Sequence, residues 1–384
     1  MIRSMTGFGS ASGRVGRSRV AVELRTVNHR FFNPSIKLAP SLARWEGEVR
    51  DLLKRSIARG HVTLVAKSER DVDALRIDER RFESYVQPAS VYRYDYAADR
   101  LTPYHVPDAG LDASEYVTEQ AWYESADGTR VSMFIVHRKD LPRDRRRPVR
   151  LSGYGGFNIS FGPWFAPVNA AWLKLGGVLA FANVRGGGEY GRAWHEAAVK
   201  TRRQNAFDDF VAAAHWLVSA GYTTPAKLAS RGNSNGGLLV AVTATQAPEA
   251  FGAVFCRVPI LDMLRFPGFS NTSGATVEYG SPDDPVEGPY LAGYSPYHNV
   301  RADRRYPAMM FVSALNDWVA PPHDPLKMVA RLQDEAAQGG PYFLLPLRAS
   351  GHGGGTTLTA LVDQDVDELS FYCWALDVAP PSPG

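Results

Sequence analysis

Apolar and polar positions alternate along the first part of the chain. Residues 19–27, Arg-Val-Ala-Val-Glu-Leu-Arg-Thr-Val, put Val20, Val22 and Leu24 on one face and Glu23 and Arg25 on the other, the period-two pattern of a half-buried strand. Leu42, Trp45, Val49, Leu52 and Leu53 then recur at helical spacing, with Arg44, Arg50, Lys54 and Arg55 left for water. His61–Lys67 returns to alternation, so a small α+β module is expected over residues 1–87.

The pattern changes near Gln87–Ser90. Val91–Tyr96, Tyr116–Glu124 and Val131–His137 read as strands, the last two around an Asp127-Gly128 turn, and residues 88–140 form a strand-rich lead-in. Leu141–Arg150 reads as a charged, solvated connection. Beyond it strands and helices take turns: a strand over Leu175–Val184, a helix over Phe207–Ala220, and a short strand over Lys227–Ser230. A helix over Gly236–Gln246 comes next, with strands over Gly252–Pro259, Pro307–Leu315 and Tyr342–Leu347 and a final helix over about Thr357–Leu376. Such alternation predicts an α/β fold over residues 141–384, a mostly parallel sheet with helices on both faces.

Composition adds compartment and charge. The chain has 384 residues, 45% of them hydrophobic, enough for one large domain and a smaller one. Its formal net charge is only +3, yet residues 1–87 hold 17 basic and 10 acidic side chains, so the remainder is mildly acidic. Cys256 and Cys373 are the only two cysteines, which fits a reducing compartment. The opening residues lack a signal-peptide apolar run, and no uncharged apolar run reaches the roughly 18 residues of a membrane span, so a soluble, cytoplasmic protein is expected.

The chemistry centres on Gly232-Asn233-Ser234-Asn235-Gly236, a G-x-S-x-G pattern between a short strand and a glycine-rich helix start. That is the setting of a nucleophile elbow, whose sharp turn exposes the serine hydroxyl at the edge of the sheet. A serine needs a base, and the base needs an acid to hold its tautomer, in the chain order serine, acid, histidine. His298, His323 and His352 follow Ser234; His352 sits in a flexible glycine-rich loop after the last strand and is the expected base. His298 reads as a loop-packing residue and His323 as part of a proline-rich surface turn. Two acids compete, Asp317 at a strand end, where α/β folds place catalytic groups, and Asp262, which also suits a loop or cap.

Gly186–Gly191 satisfies G-x-G-x-x-G, but Asp208 and Asp209 fall at the start of a helix and not at the end of a second strand, so no dinucleotide cofactor is expected. No Cys/His spacing suits zinc, and no metal is expected.

Two stretches carry family resemblances. Met-Ile-Arg-Ser-Met-Thr-Gly-Phe-Gly (1–9) and Val-Glu-Leu-Arg-Thr-Val-Asn-His-Arg-Phe (22–31) resemble the amino-terminal signature of the YicC/YloC endoribonucleases, over about residues 1–86. That likeness implies weak RNA binding by residues 1–87 through Arg25, His29 and Arg30. Tyr154-Gly155-Gly156-Phe157-Asn158, Asn183-Val184-Arg185-Gly186-Gly187-Gly188-Glu189-Tyr190-Gly191, Phe207-Asp208-Asp209-Phe210, the elbow and Gly351-His352-Gly353 resemble the catalytic domain of the prolyl oligopeptidase family, over about residues 88–380. The fold this implies is the α/β-hydrolase fold, and the activity is cleavage of peptides by a Ser234, Asp317, His352 triad.

The same likeness places Tyr154 and Asn235 in an oxyanion hole and Phe157, Tyr279 and Val319 around the substrate. It also exposes departures. Asp317-Trp318-Val319 is one residue shorter than the family pattern, which makes Asn316 a competitor for the acid's place. Ala275 stands where proline-selective members carry tryptophan, and residues 91 to about 115 are what remains of the family's β-propeller.

Overall fold

A computed structural model describes residues 7–15, 18–70, 77–96, 98–269, 274–336, 338–348, 350–353 and 357–379. Met1–Thr6 of the opening motif and Gly354-Gly355 of the glycine-rich loop lie outside the described residues. The chain divides into two compact units, residues 1–80 with 91–104, and residues 81–90 with 105–384.

In the smaller unit, β1 (Gly7–Val15), β2 (Ser18–Val27), β3 (Phe32–Leu38) and β4 (Gly60–Arg70) form a sheet in the order β1-β2-β4-β3, with α1 (Glu46–Ser56) between β3 and β4 in sequence. The expected inward face is the one that packs: Val20, Val22 and Leu24 lie against Leu53, Val62, Leu64 and Ala66. Arg25 and Glu23, on the opposite face, pair at 3.5 Å. β5 (Ile77–Phe82), β6 (Ser90–Asp95) and β7 (Arg100–His105) form a second, three-stranded sheet.

The larger unit is built on an eight-stranded sheet among the described residues. β8 (Tyr116–Glu124) and β9 (Arg130–Arg138) are an antiparallel edge. After β10 (Val149–Gly153), α2 (Pro167–Lys174) leads to β11 (Val178–Ala182). α3 (Arg192–Glu196) and α4 (Gln204–Ser219) lead to β12 (Leu228–Asn233), and α5 (Asn235–Gln246) leads to β13 (Ala253–Arg257). α6 (Thr276–Tyr279) and α7 (Glu287–Tyr294) precede β14 (Ala308–Ala314); α8 (His323–Glu335) precedes β15 (Tyr342–Leu347), and α9 (Leu358–Ala375) closes the unit. The order is β15-β14-β13-β12-β10-β11-β9-β8, parallel from β15 to β11.

Alternation along β11 explains why both faces need helices. Val178, Ala180 and Ala182 join the core under α4 and α5, while Leu179 and Phe181 join the core with Trp172, Phe371 and Tyr372. A strand buried on both sides reads as a continuous apolar run, which is why it is legible without a partner. The run is shorter than Leu175–Val184 because Gly176, at φ 78°, turns the chain out of α2 first.

Two local expectations change. Arg150 is part of β10 and is buried, with its guanidinium on Glu368 at 3.3 Å and on the side-chain oxygen of Asn169, so the charged connection ends before it. A buried arginine is tolerable only with partners this close, and they lie far off in sequence. His323 opens a helix, with its ring 4.2 Å from that of Phe269, in place of a surface turn.

Candidate active site

The sheet reverses its direction of winding between β10 and β12, since the chain goes from β10 to β11 on one side and then to β12 on the other. Side chains at the carboxyl ends of strands flanking such a point face a common crevice. Tyr154 directly follows β10 and Ser234 directly follows β12.

Ser234 is held in a left-handed conformation, φ 57° and ψ −119°. A non-glycine residue there carries about 1–3 kcal/mol of strain, sustained only if its surroundings over-determine it. They do: its N–H donates to the Arg257 carbonyl of β13 at 2.9 Å, and its own carbonyl accepts from Leu238 of α5 at 3.1 Å. The flanking glycines are required by close approach. A Cβ on Gly232 would stand 1.8 Å from the Gly236 carbonyl oxygen, and one on Gly236 would stand 2.6 Å from that of Gly153.

The hydroxyl of Ser234 lies 2.9 Å from Nε2 of His352, and Nδ1 of His352 lies 2.7 Å from Oδ2 of Asp317. An ionised carboxylate only accepts, so Nδ1 carries the proton and Nε2 turns its lone pair to the serine. Asp317 is buried, and its other oxygen accepts the N–H groups of Val319 at 2.8 Å and Ala320 at 2.9 Å. Burial by itself would raise its pKa; the hydrogen bonds from His352 and from these two amides outweigh burial and hold it below the ordinary carboxylate value.

The competitors lie elsewhere. Asn316 is exposed and donates to the Arg348 carbonyl at 3.1 Å. Asp262 is buried in an ion-pair cluster with Lys327 at 2.5 Å and Arg265 at 2.9 Å.

Around the serine, the Tyr154 hydroxyl is hydrogen-bonded to Ser234, and burial raises its pKa, so it remains a donor. Asn235 is the first residue of α5, where a backbone N–H has no acceptor within the helix. Its side chain is fully engaged: Nδ2 donates to the Tyr154 carbonyl at 2.5 Å, and Oδ1 accepts from Arg203 at 2.5 Å and from the Tyr279 hydroxyl at 2.8 Å. Phe157 is 37% exposed and stands edge-on to Tyr279, ring centroids 5.5 Å apart. Tyr279 is itself buried and supports that ring from beneath, while Val319 is half-buried beside Asp317.

Sequence reading missed the bracing residues. Glu278, buried, accepts from the Phe157 N–H at 2.8 Å and from Arg203 at 3.2 Å, and lies 2.8 Å from Nε2 of His195. Glu278 and Arg203 thus tie the Phe157 loop to Asn235. No period or motif marks them; only Glu278, a lone charge between Val277 and Tyr279, hints at a partner.

The glycine-rich 186–191 loop is a packing device. Added Cβ atoms would meet the Gly155 carbonyl oxygen 2.5 Å from Gly186 and the Asn158 carbonyl oxygen 2.5 Å from Gly188. Arg185 in the same loop pairs with buried Asp209 at 2.6 Å. Among the described residues no group of His, Cys, Asp and Glu could hold a metal ion.

The family model described as "Prolyl oligopeptidase family" matches residues 163–379. The chain belongs to the prolyl oligopeptidase family. A second model, "Endoribonuclease YicC-like, N-terminal region", matches residues 2–123. A prolyl endopeptidase of Elizabethkingia miricola is 38% identical over 298 residues, which cover 77% of this chain and 42% of the relative. An uncharacterized peptidase of Sinorhizobium fredii is 40% identical over 278 residues, covering 72% and 38%.

Among solved structures, one of two prolyl endopeptidases studied for inter-domain dynamics has a TM-score of 0.74 at 36% identity, covering 98% of this chain and 54% of that one. Prolyl oligopeptidase B from Galerina marginata has a TM-score of 0.75 at 27% identity, covering 97% and 51%. The chain spans under half the length of these curated relatives.

Proposed function

We propose that this family member is a serine peptidase that cleaves peptide bonds through an acyl-enzyme on Ser234. The observation that carries the reading is His352, within hydrogen-bond distance of Ser234 on one nitrogen and of Asp317 on the other. His352 takes the serine proton as Oγ attacks the scissile carbonyl and gives it to the departing amine; a water then repeats the sequence to release the acyl group. Tyr154 and the Asn235 N–H stabilise the oxyanion, where a donor contributes about 3–4 kcal/mol. Phe157, backed by Tyr279, and Val319 receive an apolar residue before the cleaved bond, proline among others, since Ala275 brings no indole to select it.

A fluorophosphonate probe tests the reading. It should label the wild-type chain and leave Ser234→Ala unlabelled; equal labelling of both would overturn it. The two cysteines are free thiols, which supports a reducing, cytoplasmic setting. Among the described residues no helix is long and apolar enough to cross a membrane.

A second reading, RNA binding by the small unit, is favoured by its exposed aromatic–cation pairs. Arg25 stands 5.4 Å from the Phe8 ring and Arg30 5.4 Å from that of Phe31, and both rings are 65% exposed. Stacked guanidinium–aromatic faces suit single-stranded bases. Salt-dependent retention of RNA by the full chain, weakened by Arg25→Ala with Arg30→Ala, would support it, and no retention at low salt would count against it.

A further inference from the structure

A cavity of about 390 Å³ lies behind the nucleophile turn, walled by the ends of β10 and β12–β15 and by α9. It abuts the proposed active site through residues next to Ser234 and His352. Tyr154, Gly232 and Asn233 line it on one side, and Gly353, next to His352, lines it as well.

The wall is charged and unevenly paired. Glu368 of α9 is buried and serves two arginines, Arg231 at 2.8 Å and Arg150 at 3.3 Å. Arg257, at the end of β13, donates only to neutral oxygens among the hydrogen bonds described, Asn233 at 2.9 Å and Gln364 at 3.3 Å. Asp365 also lines the cavity and forms no ion pair among the described residues; burial and then the charge of Glu368 push its carboxyl above the ordinary range. Three guanidinium groups therefore meet two carboxylates, one of them disfavoured as an anion. Arg257 feels the charges of Glu368, Asp317 and Asp365 but has none of them in direct contact among the described ion pairs, and an anionic ligand would add that charge-assisted contact.

The position fixes which end of a substrate would supply the anion. His352 must hand its proton to the departing nitrogen, so the leaving chain lies on the His352 side of the cleaved bond. We propose that this cavity is a carboxylate subsite, in which Arg257, with Arg231 beside it, takes the free C-terminus of a short peptide tail. The inference rests on the serine-peptidase reading and narrows it: cleavage close to the carboxyl end of oligopeptides is favoured over cleavage inside long chains.

The test compares three chromogenic peptides of one sequence as substrates of the whole 384-residue chain. One ends in a free carboxylate, one in an amide, and one in an amide with a glutamate as its last residue. Since charge-assisted hydrogen bonds of this kind are worth about tenfold or more, kcat/KM for the free acid should exceed that for the plain amide by at least about tenfold. In Arg257→Gln that ratio should fall to near one, whatever the absolute rates. Gln364→Glu, which places a carboxylate beside Arg257, should lower it too and guards against misfolding of the first variant.

A preference for the glutamate amide equal to that for the free acid would assign the site to side-chain carboxylates and overturn C-terminal recognition. A wild-type ratio near one, or a ratio unchanged in both variants, overturns the subsite while leaving the peptidase reading intact. If no peptide is hydrolysed in a Ser234-dependent way, the reading itself fails, and the subsite with it.

Discussion

The N–H of Ser234 donates to the carbonyl oxygen of Arg257 at 2.9 Å, so the strained nucleophile turn is pinned to the neighbouring strand by main chain alone. The Arg257 guanidinium grips the same turn a second time, through Asn233. Two bonds from one residue hold the amide of the serine and the side chain just before it. That offsets the strain of a left-handed residue with no glycine at the position.

The tightest contact in this turn sets the first prediction. Gly232→Ala would put a methyl group 1.8 Å from the Gly236 carbonyl oxygen, a backbone atom with no room to retreat. The variant should lose about 3 kcal/mol or more of stability, since overpacking against rigid backbone costs at the upper end of the usual range. Urea midpoints measured beside probe labelling check this; a variant as stable and as reactive as wild type would refute the elbow's geometry.

Asp317 and Asn316 can be separated by exchange. Asp317→Asn keeps the shape but leaves the imidazolium without a carboxylate and permits the wrong tautomer, so turnover should fall by about 10⁴. Asn316→Ala removes only a surface hydrogen bond to Arg348 and should stay within about twofold of wild type. Steady-state kinetics on an amidated chromogenic peptide distinguish the two.

Arg203 is buried and bridges Glu278 and Asn235. Arg203→Met fills the space but leaves Glu278 with less countercharge, and breaking such a pair should cost about 3 kcal/mol. Because Asn235 and the Phe157 loop lose a common brace, kcat should drop with stability. A stable protein with normal kcat would show that the bridge is dispensable.

The Asp127 carboxyl is held near a pKa of about 2, chiefly by its hydrogen bonds from Arg185. A carboxyl whose folded pKa lies below its unfolded value of about 3.9 contributes stability that is complete above the unfolded value and is lost as pH falls towards the folded one. Stability should therefore decline between about pH 4 and 2, and Asp127→Asn should flatten that decline. The slope is shallow, because the side chain is 48% exposed and solvent screens the pair. Denaturant midpoints across this range provide the measurement.

The split between legible and illegible residues follows the range of the forces involved. Val20, Val22 and Leu24 are visible in the sequence because burial alternates with a period of two, and β11 and α5 because segments buried on every side read as unbroken apolar runs. Gly232, Ser234 and Gly236 are visible because a sharp turn needs small residues at fixed spacing. Arg203 with Glu278, and Arg150 with Glu368, carry no such mark. Arg203, Arg150 and Glu368 sit among other charged residues that face water, so nothing local singles them out for burial, and the partner that makes each tolerable is 75 or 218 positions away.

The chain by itself thus decided most of its elements and the identity of a serine in an elbow followed by a histidine in a late loop. Folding alone decided that Asp317, and not Asn316 or Asp262, reaches His352, and that Arg257 faces a cavity with no carboxylate in direct contact among the described ion pairs. Periodicity and turn chemistry act between neighbours in sequence, whereas hydrogen bonds and ion pairs depend on distances that exist only once the strands have been laid side by side.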